Sequence, residues 1–165
     1  MNKNRCVSID NSDFHKEIQL IQDCIKRMAS NSFMLKGWYI SLVFLGASMI
    51  CGKDVEIDWV MLILAVLTSV FWYLDGFFLN METLYRWKYE WVIDQRLKNN
   101  SRYYFDLNPY NENMWLNPED KREKKGLRKY IFSKTLIPLY LWGIVVPLLY
   151  LVFLIVIYYA NNCNK

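Results

Sequence analysis

Residues 136–160 read LIPLYLWGIVVPLLYLVFLIVIYYA, 25 positions without one charge. Crossing the roughly 30 Å of bilayer hydrocarbon takes about 20 mostly apolar residues at 1.5 Å each, and this run satisfies that length. A soluble helix so uniformly apolar would need protein on every side. Two further stretches extend the reading towards the amino terminus. Ile57 to Leu79 is interrupted only by Asp58 at one end and Asp75 near the other, and Trp and Tyr at both ends of its uninterrupted part, Trp59 to Leu74, suit the headgroup level. Phe33 to Cys51 contains Lys36 and then 15 uncharged residues from Gly37. Alone it would pass for a buried soluble helix, but followed at once by the second stretch it reads as one arm of a hairpin. The expected fold is all-α, an integral membrane protein with three transmembrane helices.

The whole chain of 165 residues is short enough for one domain, and 54% hydrophobic with 17% aromatic residues is too apolar for disorder. Lys and Arg are distributed unevenly. Six of them, Lys3 to Lys36, lie before or at the start of the first span, and twelve more lie between Met81 and Thr135; Lys53 and Lys165 are the only two elsewhere. Eighteen against two places the amino terminus and the long loop in the cytoplasm of a bacterial cell, and the short turn and the tail 161–165 outside the inner membrane. The net charge of +4 then reflects topology and attraction to membrane lipids, and calls for no nucleic-acid partner. The first span lies behind a long polar segment, which argues against a cleaved secretion signal.

Beyond a polar segment 1–13, Phe14, Ile18, Ile21, Ile25, Met28 and Ala29 recur at helical spacing, and METLYRWKYEWVIDQRL (81–97) contains neither Pro nor Gly. Both spans are therefore expected to continue as a cytoplasmic helical stalk, a hairpin over 14–98. Leu84, Trp87, Trp91 and Tyr85 would be buried on the Ile18, Ile21, Ile25 and Met28 stripe, or against a neighbouring subunit. Antiparallel register sets Lys36 opposite Asp75 and Arg27 opposite Glu82. Three readings compete for Lys36 and Asp75: they snorkel to the headgroups, they neutralise each other, or Asp75 marks an ion pathway.

The segment 99–130 is an expected loop with two Asn-Pro steps. Its Tyr103, Tyr104, Phe105, Tyr110 and Trp115 are too aromatic for a solvated linker, and either pack on the stalk or line a site for a partner or small ligand. The basic run Lys121–Lys129 fits the anionic leaflet. In the third span, expected over 131–160, Pro138 and Pro147 predict a bend, by ordinary packing or as a hinge or pore lining. Catalytic and metal sites are not expected. His15 stands alone, Cys6, Cys24, Cys51 and Cys163 lack ligand spacing, Ser12 and Ser32 have no neighbouring His, and no glycine loop would cradle a phosphate. No cofactor is implied. The cysteines are read as free thiols, with a Cys51–Cys163 bond as the alternative.

At RMASNSFMLKGW (27–38) and FWYLDGFFLNMETLYRWKY (71–89) the chain resembles a family of small bacterial multi-pass membrane proteins that carries no known chemistry, over residues 17 to about 97. In architecture alone it is similar to the SLATT class of membrane effectors, a likeness that implies oligomerisation and membrane permeabilisation in nucleotide-signalled antiphage defence. The expected function is a non-enzymatic, homo-oligomeric effector triggered through its stalk by a cytoplasmic protein or nucleotide signal. The alternative is an anchor or scaffold for a cytoplasmic partner, without conduction, and a third reading is an enzyme acting on lipid.

Overall fold

The computed structural model describes residues 11–52, 56–98, 100–101, 103–111 and 126–163. Helices α1 (Asn11–Gly52), α2 (Ile57–Leu97), α3 (Leu127–Ile131) and α4 (Ile137–Cys163) follow in order, with no strand among the described residues. The protein is all-α, and α1, α2 and α4 are each long and apolar enough to cross a membrane. The helix-breaking Pro is absent throughout α1 and α2, so each runs for about 40 residues and contributes to both of the chain's compact units.

The first unit comprises residues up to Asn31 and Phe78–Gly126. Its core is Ile21, Trp91 and Val92, against which Ile18, Ile25, Tyr89 and Leu107 pack. Each such side chain, once fully buried, contributes about 1.5–3 kcal/mol in water. Leu84 is also buried, while Met28 and Trp87 are half-buried.

The second unit, Ser32–Phe77 with Leu127–Lys165, is built the other way round. Large apolar side chains such as Phe33, Phe44 and Trp142 are more than half exposed, whereas Ser32, Tyr39, Thr68, Asp75 and Tyr140 are buried. That arrangement suits hydrocarbon as the surrounding medium, since polar groups in lipid must find partners inside the protein.

The expected single helix over 131–160 is corrected. The chain turns between Ile131 and Ile137, with the Ser133 carbonyl accepting from the Leu136 and Ile137 N–H groups. Pro138 fits this break: it has no N–H with which to continue an upstream helix, yet it is accommodated in the first turn of α4. Pro138 is therefore no mid-helix hinge, and only Pro147 lies inside α4.

Candidate functional site

The second unit converges on Asp75. In α1, Ser32, Lys36 and Tyr39 fall on one face at spacings of four and three. Thr68, Trp72, Asp75 and Gly76 share a face of α2, and Tyr140, Gly143 and Pro147 recur at similar spacing along α4, with Leu136 in the turn just before it. Asp75 is 0% exposed. Lys36 Nζ lies 2.7 Å from its Oδ2 and 2.9 Å from Oδ1. Ser32 donates its hydroxyl to Oδ1 and Tyr140 donates to Oδ2 at 3.1 Å. The lysine also donates to Ser32 Oγ at 2.6 Å. An ionised carboxylate offers about four acceptor positions, and here two oxygens receive donors from α1 and α4 together. The lysine side chain remains 30% exposed, so the cluster has one edge at the surface of its unit.

A second layer surrounds it. The Tyr39 and Tyr140 rings lie 4.8 Å apart, and the Trp72 ring stacks on Tyr140 at 6.3 Å. Trp72 Nε1 donates to the Ile131 carbonyl at 2.7 Å, fastening the end of α3. Two glycines make these approaches feasible. A Cβ on Gly76 would meet Ile131 Cγ1 at 2.6 Å, and one on Gly143 would meet the Tyr39 hydroxyl and Thr68 Oγ1, the latter at 2.7 Å. Pro147 cannot donate to the Gly143 carbonyl one turn earlier. Thr68 Oγ1 sits 3.4 Å from that oxygen while donating to its own Leu64 carbonyl at 2.7 Å.

The first unit carries a separate buried charge cluster. Glu17 and Arg96 meet fork to fork, Nε to Oε2 and Nη2 to Oε1, both at 2.8 Å. The Phe105 N–H donates to Glu17 Oε1 at 3.0 Å, Arg96 Nη1 donates to the Asn100 carbonyl, and the guanidinium lies 4.9 Å over the Tyr104 ring. Lys88, also buried, donates to the Asn108 carbonyl at 2.9 Å and faces Asp106 at 3.6 Å. Burial pushes the Lys88 ammonium below its ordinary range, with Asp106 opposing the shift. Desolvation pushes Asp106 up, but hydrogen bonds from Asn111 and the Asn108 N–H, with the charge of Lys88, outweigh it and hold the carboxyl below the usual range. Tyr103 and Phe105 adopt left-handed backbone (φ 56° and 54°), a costly conformation for bulky residues that persists where surrounding contacts impose it.

Of the loop aromatics, Tyr103 packs on Trp91 at 6.1 Å, Tyr104 and Phe105 meet edge to face, and the Tyr110 hydroxyl contacts Met81 Sδ at 3.0 Å. Trp115, Cys6, Lys121–Lys125 and the Cys163 side chain lie outside the described residues; Cys24 and Cys51 are free thiols. The expected Arg27–Glu82 pair is corrected. Glu82 accepts instead from Arg86, one turn along the same helix, at 2.6 and 2.9 Å, because an i,i+4 partner is the nearer one; Arg27 is exposed.

Sequence reasoning missed Ser32, Tyr140 and Thr68 in one unit and Glu17, Lys88, Arg96 and Asp106 in the other. For Glu17 and Lys88 a signal existed: each is a charge set within an apolar stripe, Glu17 four residues before Ile21 and Lys88 between Leu84 and Trp91. Among the described residues no group of His, Cys, Asp and Glu is placed to hold a metal ion. Comparison with protein-family models, curated proteins and solved structures finds no match to this chain.

Proposed function

We propose that the protein is a non-enzymatic effector of the bacterial inner membrane, which assembles with further copies of itself and alters membrane permeability when a cytoplasmic protein or nucleotide signal engages its polar unit. One observation carries this reading: a fully buried carboxylate tied to donors from α1 and α4 within a set of apolar helices. A buried ion pair is a poor stabiliser compared with apolar packing of the same volume, and ionisable residues at membrane depth ordinarily serve function. The Asp75 cluster is the element whose rearrangement would re-sort the contacts among three spanning helices. Three spans enclose no passage of their own, so conduction requires several copies. The asymmetry of Lys and Arg supports the cytoplasmic placement of residues before the first span and of the long loop.

The test is membrane potential in cells expressing the full chain, read with a voltage-sensitive dye. Depolarisation that disappears in Asp75→Asn and Lys36→Met at equal membrane abundance supports the effector. Unchanged potential under every inducing condition would instead leave the chain as an anchor for a cytoplasmic partner.

A further inference from the structure

A groove of about 530 Å³ runs between α2 and α4 on the surface of the second unit. Its walls are apolar, formed by Leu62 and Ala65 from α2 and by Ile144 and Leu148 from α4, and its polar atoms lie towards the ends. At one end stand Asp58 and Tyr150, and at the other Ser69, whose hydroxyl is returned to its own Ala65 carbonyl at 2.9 Å. Asp58 and Ser69 are 11 positions apart on α2, so the groove is about 16 Å long at 1.5 Å per residue. Half of a roughly 30 Å hydrocarbon core is about 15 Å. The groove thus has the depth of one leaflet.

Its polar mouth has a sign. Tyr150 donates to Asp58 Oδ1 at 2.6 Å, and Oδ2 takes no hydrogen bond among the described residues. Asp58 is exposed, as is Glu56 beside it. Glu56 and Asp58 together bring two negative charges to this end of α2. An anionic headgroup would be repelled there. A quaternary ammonium would be attracted but has no N–H to donate, whereas a primary ammonium can make a charge-assisted hydrogen bond to Oδ2.

We propose that this groove is a binding site for one phospholipid with a primary-ammonium headgroup, a phosphatidylethanolamine, in the leaflet on the side of the α1–α2 turn. One acyl chain lies between α2 and α4, and the ammonium sits on Asp58. The site stands independently of any permeability function.

The full-length chain, delipidated in detergent, is mixed with phosphatidylethanolamine, phosphatidylcholine or phosphatidylglycerol of identical acyl chains, and retained lipid is counted by native mass spectrometry. The expected result is ~10-fold preference for the ethanolamine lipid, the scale of one charge-assisted hydrogen bond. Asp58→Asn should erase that preference while leaving acyl binding. Leu148→Trp and Ala65→Phe, filling the groove from opposite walls, should lower retention of all three lipids with helicity unchanged by circular dichroism. Equal retention of the three lipids by the unaltered chain, or an undiminished preference in Asp58→Asn, overturns the proposal. So does an Ala65→Cys variant that forms a disulfide between copies in native membranes, since a second copy would then occupy the groove.

Discussion

The two units bury charge by the same rule and surround it with opposite materials. In the first, Glu17, Lys88 and Arg96 are inaccessible next to an apolar core of Ile21, Trp91 and Val92. Water supplies the drive for that core to close, and the charges are accommodated by an arginine fork and by backbone groups of the 100–111 segment. In the second, the inaccessible set includes hydroxyls and a carboxylate, and many large apolar side chains, Phe33, Phe44 and Trp142 among them, are exposed. Hydrocarbon gives helices no hydrophobic reason to associate, so packing and hydrogen bonds must hold them together. The contrast teaches that Asp75 is central to association in its unit, whereas Glu17 and Arg96 fasten a loop onto helices that already cohere.

Breaking the membrane-side pairing should therefore have the largest effect. Asp75→Leu strands Lys36 and removes the acceptor for Ser32 and Tyr140, and should cost about 3–5 kcal/mol, read as a lowered unfolding midpoint in detergent. Lys36→Met combined with Asp75→Leu should recover much of that loss; a double variant as unstable as the single one would contradict the central role of pairing. Next in size, Glu17→Ala frees the Phe105 N–H and one face of Arg96, which retains the Asn100 carbonyl and the Tyr104 ring. A loss of about 2–3 kcal/mol follows, together with faster proteolysis within 100–111 and no change in the detergent stability of the second unit. A protease pattern unaltered by the substitution would show that Glu17 does not hold this segment.

How much of this was legible follows from the range over which each signal acts. The three spans were readable because length and lack of charge are local properties, and the Lys36–Asp75 proximity because helical register extrapolates along two antiparallel helices joined by a short turn. Tyr140 was not readable, since it arrives on Asp75 from 65 positions away and nothing in the sequence sets the register of α4 against α2. Gly143 was equally silent: its value is the absence of a Cβ beside Tyr39 and Thr68. Arg27 failed for a different reason, because register alone named a cross-helix partner for Glu82 and ignored Arg86 one turn away. In the loop, aromatic content signalled packing, but the left-handed backbone of Tyr103 and Phe105 depends on tertiary contacts that composition does not encode. Gly143→Ala sharpens the point. The added methyl must displace the Tyr39 and Thr68 side chains, and should cost about 1–3 kcal/mol in thermal unfolding in detergent; an unchanged midpoint would mean those side chains yield freely.

The smallest effect expected is a pH dependence confined to the first unit. Asp106 titrates below its unfolded value of 3.8, so the folded state holds fewer protons than the unfolded one in the interval between the two values. Its contribution is complete above that unfolded value and is lost as pH falls through the folded one. Lys88 acts at the other limb: its folded value lies below 10.5, the unfolded state again binds more protons in the interval between, and stability rises with pH there. Because the Asp106 side chain is 26% exposed, its share should stay under about 1 kcal/mol. Chemical denaturation followed by Trp fluorescence between pH 5 and pH 2, for the unaltered chain and for Asp106→Asn, isolates it. The two curves should converge on acidification as the difference between the carboxylate and the amide disappears. Curves that stay parallel would assign the acid sensitivity to other carboxylates and reduce Asp106 to a hydrogen-bond acceptor for Asn108 and Asn111.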